Sequence, residues 1–313
     1  MIKENIINSI HGALTKYDRL IFFSILLFII PPTGILTGNE EMYYGLAYKS
    51  IFDSWNGAFS SYISSGNYRF ISDFIIGHLV SYFGFGGTQA IGALFACLLY
   101  SHILSIIFKN LKIDIFSGLI IISTFALMGQ SLIGREWIFE NFEAKVFAYF
   151  FLFNSLNAFL NKKYSKTIIF LAITTYFHIL IGSLWFLLFF ISILCKRISN
   201  KKLIHLFSLY CILSLPFMIY ALSGYLSDSY VPEKSVPEPS YIYSYIRQYK
   251  MVLPFYGIRN FLYSWLPGIL LHLTLLLGCV FLTKKEEWNK SGLLMLISIS
   301  SFSIFLFVIV SFF

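Results

Sequence analysis

Apolar runs of about 20 residues recur from one end of this chain to the other, and a helix of that length crosses a bilayer. Hydrophobic residues make up 58% of the chain and charged residues only 12%, whereas about a quarter of a soluble domain is charged. We therefore predict an all-α polytopic membrane protein. In such a chain, length measures the number of spans and not the number of soluble domains.

Charge and cysteine usage exclude several other classes of protein. The formal net charge is +8, but the basic residues form short clusters between apolar runs, which indicates membrane orientation and not a nucleic-acid partner. The sequence contains no Walker loop and no dinucleotide-binding glycine motif after a strand. The cysteines lie within apolar runs without paired spacing, so we predict neither a disulfide nor a zinc site: Cys97, Cys195, Cys211 and Cys279.

The basic clusters predict the topology. Residues 1–19 form a leader with Lys3, Lys16 and Arg19, which we place in the cytoplasm because basic residues favour that side. No cleavable signal peptide is indicated, and Leu20–Leu36 is read as a permanent first span. The later predicted spans bring the total to about nine: Thr88–Phe108, Asp114–Gln130, Val146–Leu160, Thr167–Phe177, Ile181–Cys195, Leu203–Leu226, Phe261–Leu282 and Gly292–Phe313.

One apolar segment does not fit as a span if successive basic clusters are to stay on the cytoplasmic side. Ile71–Phe83 contains Asp73 and His78 and stops at Gly84. It is short for a crossing and suits a helix lying at the interface. If it crossed, every later basic cluster would face outward, so we predict an interfacial helix.

The chain is thus expected to be a single transmembrane domain in the cytoplasmic (inner) membrane. Its outer segments are residues 37–87, 131–145 and 227–260. The sequence ends within an apolar run, which is compatible with truncation of a longer protein.

The first outer segment contains two adjacent carboxylates, Glu40 and Glu41, just beyond the first span. Ionisable groups at a membrane boundary are candidates for function, and the alternative is a solvated acidic loop. Neighbouring residues on a helix point about 100° apart, so the two are expected to differ in role. One would act as a base, and the other would orient a partner or ligate a metal ion.

The second outer segment interleaves acids with Arg135 and Lys145. A helix would place three of its acids on one face, where a cation or a ligand has to offset their repulsion. This pattern favours a polar site over a passive loop. The three acids are Glu136, Glu140 and Glu143.

Two further outer stretches hold candidates for substrate binding. His178 is expected at the tip of a hairpin of two short helices, where the alternative role is to cap a turn in water. The long third segment carries Tyr243, Arg247 and Arg259. Arginine suits phosphate and tyrosine stacks on sugar rings, although an amphipathic interfacial segment would show the same pattern.

This layout resembles the C-type (GT-C) integral-membrane glycosyltransferases. Glu40-Glu41-Met42-Tyr43-Tyr44 is similar to their Asp-Glu-x-x-Tyr pattern, with Glu40 at the more usual Asp position. Phe142-Glu143-Ala144-Lys145-Val146-Phe147-Ala148-Tyr149 is similar to a Phe-Glu-x-Lys-x-x-Ala-Tyr element of bacterial members. His178 matches a histidine that often follows, but Ile179 replaces the proline often found after it.

The resemblance implies transfer of a sugar from a polyprenyl-phosphate-linked donor to a glycan or lipid-linked acceptor on the outer face of the membrane. Glu40 would be the base, supported by Glu41, Glu143 and Lys145. The phosphate would be held by Arg135, Arg247 or Arg259, or by a divalent metal ion. The alternatives are an O-antigen or exopolysaccharide polymerase, a lipid-linked glycan transporter or flippase, and a structural membrane subunit.

Overall fold

The computed structural model describes residues 16–36, 40–52, 69–127, 142–194, 198–227 and 270. By their contacts the residues of the chain form two compact units, 1–127 with 137–227 and 128–136 with 228–313. In the residues described, every regular element is an α-helix, and these helices belong to the first unit: α1 Asp18–Ile29, α2 Glu40–Phe52, α3 Phe70–Leu111, α4 Ile115–Leu127, α5 Ala144–Leu160, α6 Tyr164–Phe177, α7 Ile179–Leu194 and α8 Asn200–Ser227.

Two of these helices are long and apolar enough to cross a membrane, α3 and the Asn200–Ala221 part of α8. Helices α4, α5 and α7 are apolar but shorter. The all-α fold is confirmed for the described residues, whereas the count of about nine spans is not. The spans predicted at Phe261–Leu282 and Gly292–Phe313 lie outside the described residues.

The first helix ends earlier than the predicted span. It stops at Ile29 and not at Leu36, because Pro31 and Pro32 follow and the residue before a proline is disfavoured in helical geometry. Gly34 then adopts a left-handed conformation with φ of 72°, which glycine reaches without a steric cost. The predicted Leu20–Leu36 span is therefore helical only in its first part.

Helix α3 is broken at Gly84, where φ is 68° and ψ is 178°. This confirms the boundary predicted after Phe83. Helix α2 packs against the part of α3 before the break, where a Cβ on Gly77 would overlap the Ala47 backbone. The interfacial position of this first part stays a prediction.

The part of α3 after Gly84 runs antiparallel to α1. At one end Lys109 contacts the Asp18 carboxylate at 3.0 Å. At the other end the Gly34 amide donates to Oε1 of Gln89 at 2.8 Å. A Cβ on Gly86 would lie 2.8 Å from the Gly34 carbonyl oxygen, so the backbones approach closely at this point.

Helix α5 runs parallel to this part of α3. Its first turn is joined to α3 by Tyr100, whose hydroxyl donates to the Val146 carbonyl at 2.9 Å. Near its end Asn157 accepts a hydrogen bond from Asn110. The start of α5 therefore lies near Gly34 and its end near Asp18.

Helices α6 and α7 form the predicted hairpin. Phe177, the last residue of α6, stacks on Phe147 of α5 with ring centroids 5.0 Å apart. The chain then reverses, so that a Cβ on Gly182 would overlap the Thr175 backbone. The hydroxyls of Thr175 and Tyr210 lie 2.9 Å apart and join α8 to the hairpin.

The alternating helix directions give this unit two chemically different ends. The basic end carries Lys109 beside Asp18 and the turn after α5, and its lysines include Lys109, Lys112, Lys162, Lys163 and Lys202. We call the opposite end, with Glu40, Tyr44, Glu143 and His178, the acidic end. Two of the predicted outer segments and the hairpin tip thus meet at one end.

Candidate functional site

The first predicted carboxylate, Glu40, is the first residue of α2 and is fully buried. Its Oε1 atom accepts a hydrogen bond from the Phe142 amide at 3.0 Å. The same oxygen accepts one from the Tyr44 hydroxyl, one helical turn later, at 3.3 Å. A buried carboxylate that accepts hydrogen bonds from two segments is not the solvated acidic loop that the sequence left open.

Glu143 lies close to the same group. It is buried, with 6% of its surface exposed, and it lies one residue after Phe142. Burial raises the pKa of Tyr44 well above its usual value, and the charge of Glu40, the hydrogen bond to Glu40 and the charge of Glu143 raise it further. Two carboxylates from separate segments, both predicted to be outer, therefore act electrostatically on one phenol.

The backbone at Glu143 corrects one argument from the sequence. Glu143 is extended, with φ of −126° and ψ of 178°, and α5 begins at the next residue, Ala144. Helical spacing with Glu136 and Glu140 therefore does not determine where its side chain lies. The contact between Phe142 and Glu40 does, because it fixes the backbone beside Glu143.

An aromatic series connects this carboxylate pair to His178. The rings of Phe142 and Phe147 have centroids 5.3 Å apart, and Phe147 stacks on Phe177. Phe177 immediately precedes His178, so the hairpin tip is anchored to the segment that carries Glu143.

His178 has the extended backbone predicted for a helix break, with φ of −153° and ψ of 101°. The amide of Ile181 donates to its Nδ1 atom at 3.4 Å. The ring therefore caps the start of α7, as the alternative interpretation expected. It is half-buried, and a role in substrate binding stays a prediction.

The other predicted residues are only partly described. Glu41 is the second residue of α2, so it is helical as expected, but its side chain lies outside the described structure. Lys145 is half-buried in the first turn of α5. The remaining predicted site residues fall outside the described ranges: Arg135, Tyr243, Arg247 and Arg259.

Two residues at this end of the unit had no role predicted from the sequence. Tyr44 entered only as part of a motif, although its spacing of four from Glu40 indicates a contact on one helix face. Arg69 is the second, and its guanidinium lies over the Tyr43 ring, 3.8 Å from the centroid. No sequence spacing indicates that second contact.

The described side chains do not form a metal site among themselves. Among residues 16–36, 40–52, 69–127, 142–194 and 198–227, no group of three or more His, Cys, Asp or Glu side chains is placed to hold a metal ion. The divalent ion suggested by the resemblance stays a prediction, and no step proposed below depends on it.

Comparison of the chain with protein-family models, with curated proteins and with solved structures found no match.

Proposed function

We propose that this protein is a membrane glycosyltransferase that moves a sugar from a polyprenyl-phosphate-linked donor to a glycan or lipid-linked acceptor. The observation that supports it best is the convergence of Glu40 and Glu143 around Tyr44. Their segments are those whose motifs resemble GT-C enzymes. In this proposal the acidic end faces outward, the N-terminus is cytoplasmic, and about nine spans cross the inner membrane.

The reaction needs a base close to the membrane surface. An acceptor hydroxyl attacks the anomeric carbon of the sugar, a new carbon–oxygen bond forms, and the bond from that carbon to the phosphate oxygen breaks. The hydroxyl proton passes to a carboxylate, and polyprenyl phosphate leaves with the bonding electrons. We assign the base to Glu40, because the amide of Phe142 and the hydroxyl of Tyr44 hold its carboxylate in place.

The other residues have supporting roles in this proposal. Glu143 and Lys145 lie at the start of α5, close in sequence to Phe142, whose amide binds the base. Arg135, Arg247 or Arg259 would hold phosphate, and Tyr243 and His178 would bind the substrate. Because Glu40 is fully buried, acceptor binding has to open access to its carboxylate.

The test is transfer from radiolabelled polyprenyl-phosphate sugars by protein purified in detergent, with extracted membrane glycolipid as acceptor. Glu40→Gln should lower turnover by about 10²–10⁴-fold, the usual contribution of a general base. The comparison variant is Glu41→Gln, which removes the same charge from the neighbouring residue and should lower turnover less, because Glu41 has only a supporting role. Wild-type turnover in folded Glu40→Gln would rule out the base assignment.

Two additional readouts keep this test interpretable. Thermal unfolding of Glu40→Gln has to show a folded protein, since the replaced side chain is buried. Product length separates the proposed function from a polymerase, because a transferase adds one sugar and a polymerase makes a ladder of repeat units.

A further inference from the structure

A second buried charged pair lies next to Tyr43 of α2. Arg69 comes immediately before α3, and its side chain is only 11% exposed. Its Nε atom lies 3.6 Å from Oδ1 of Asp73, whose side chain is 8% exposed. The guanidinium lies over the ring of Tyr43, 3.8 Å from its centroid, a cation–π contact.

Several polar atoms of this pair lack hydrogen bonds. In the part of the chain that the structure describes, the buried atoms without a hydrogen-bond partner include Nε and Nη2 of Arg69 and Oδ1 of Asp73. The separation of 3.6 Å is an ion contact and is too long for a hydrogen bond. A buried pair that only stabilises a fold normally has its donors and acceptors satisfied.

The two unpartnered donors are chemically specific. Nε and Nη2 form one edge of the guanidinium group, and their N–H bonds point in the same direction. Two parallel donors of this kind match two oxygens of a phosphate group. Arg69 therefore presents the edge suited to a tetrahedral oxyanion. The flat face of its guanidinium packs on the Tyr43 ring.

The Arg69 guanidinium lies against the helix that carries the candidate base. Tyr43 is three residues after Glu40 on α2, and residues three apart are neighbours on a helix surface. Helix α2 thus carries the candidate base on one face and supports the arginine on the adjacent face. The base and the phosphate site have to lie close together, because the acceptor hydroxyl that loses its proton attacks the same carbon that the phosphate leaves.

We propose that Arg69, held by Tyr43 and Asp73, binds a phosphate ester at the acidic end. The inference rests on the proposed function in taking the phosphate of the lipid-linked donor as the ligand, although the chemistry is shared with free phosphate. Asp73 positions the guanidinium before binding and competes with the phosphate for it.

The competition separates this proposal from a structural ion pair. Removing the Arg69 charge should weaken phosphate binding at least tenfold, whereas removing the Asp73 charge should strengthen it by about 3- to 10-fold, because a like charge next to the anion disappears. A structural pair would lose stability in both variants and would change phosphate affinity in neither.

The experiment is calorimetric titration of the full chain in detergent with three probes: a twenty-carbon prenyl phosphate, the matching prenol and inorganic phosphate. We expect Arg69→Gln to weaken prenyl phosphate binding at least tenfold. Arg69→Lys should weaken it less, since lysine keeps the charge but lacks the two parallel N–H donors. The matched control is Arg19→Gln, an exposed arginine at the basic end, which should bind like wild type.

The probes also identify the source of the phosphate. Arg69-dependent binding of the prenyl phosphate alone supports a lipid ligand, and Arg69-dependent binding of inorganic phosphate as well supports a site for the headgroup. Equal binding by wild type and Arg69→Gln, or no phosphate binding by folded wild type, overturns the inference. If Arg69→Gln does not fold, weaker binding in Asp73→Asn overturns it and tighter binding supports it.

Failure of this inference is distinguishable from failure of the proposed function. Sugar transfer that depends on Glu40 but not on Arg69 would overturn the phosphate site alone. Arg69-dependent phosphate binding without any sugar transfer would overturn the proposed function and leave the phosphate site standing.

Discussion

Glu40 accepts a hydrogen bond from the Phe142 amide at 3.0 Å, across 102 positions of sequence. This contact joins the start of α2 to the residues that precede α5. A hydrogen bond to a carboxylate is stronger than one between neutral groups, and both partners of this one are buried. It therefore sets how the two acidic segments align, and the position of Phe142 in turn depends on Gly92 of α3.

Gly92→Ala tests that dependence. The added Cβ would overlap the Phe142 ring, so the ring and its amide have to move away from Glu40. We expect a loss of about 1–3 kcal/mol in the free energy of unfolding, measured by chemical denaturation in detergent, together with reduced sugar transfer.

The matched control for this change is Gly118→Ala in α4. Its Cβ would lie 3.0 Å or more from the Phe108 and Phe22 rings, so it should cost less and spare transfer. Equal stability and equal turnover in wild type and Gly92→Ala would show that the position of Phe142 does not control the site.

Two variants of His178 can separate its role as a helix cap from a role in substrate binding. Its Nδ1 atom accepts the Ile181 amide, and asparagine can cap a helix in the same way, whereas alanine cannot. We expect His178→Asn to keep the thermal stability of wild type and His178→Ala to lose about 1 kcal/mol. Transfer should fall in both variants if the imidazole also contacts the substrate.

The diagnostic measurement is the turnover of His178→Asn. Full activity in this folded variant would reduce His178 to a helix cap.

Helix boundaries in this chain were predictable where local chemistry determines them. Gly84 breaks α3 as expected, because its left-handed backbone suits glycine. The end of α5 at Leu160 and the break at His178 also match. The largest difference is at the end of the first span, where the apolar run continues past Pro31 but the helix cannot.

The carboxylates of the candidate site could be selected from the sequence, but their contacts could not. Glu40 and Glu143 attract attention because carboxylates beside apolar spans are costly. Their shared partner, Tyr44, depends on the packing of three segments, which spacing along the chain does not encode. The contact between Arg69 and Tyr43 is tertiary as well, so only the folded chain identifies that pair.

The basic end provides a prediction about acid stability. Ser105 donates to Asp18 at 2.6 Å and Lys109 at 3.1 Å. Burial raises the pKa of Asp18, but the hydrogen bonds from Ser105, Lys109 and the Arg19 amide outweigh it, and the net shift is downward. A lowered pKa means that the stabilisation is present above the unfolded value of about 4 and is lost as the pH falls through the folded value.

We therefore expect Asp18→Asn to lower the melting temperature at neutral pH, and the difference from wild type to shrink as the pH falls below about 4. The control is Asp114→Asn, an exposed cap of α4, where asparagine caps nearly as well. A constant difference between wild type and Asp18→Asn down to about pH 3 would contradict the ionised contact.

The final prediction concerns Tyr44, whose pKa is raised by burial and by the charges of Glu40 and Glu143. A raised pKa means that the folded state holds the phenol proton, so this stabilisation is present below about pH 10 and is lost above it. In folded protein, phenolate absorbance titrations of wild type and Tyr44→Phe should therefore coincide up to about pH 11. A missing phenolate in folded Tyr44→Phe below that pH would show that Tyr44 titrates freely and that the two carboxylates do not enclose it.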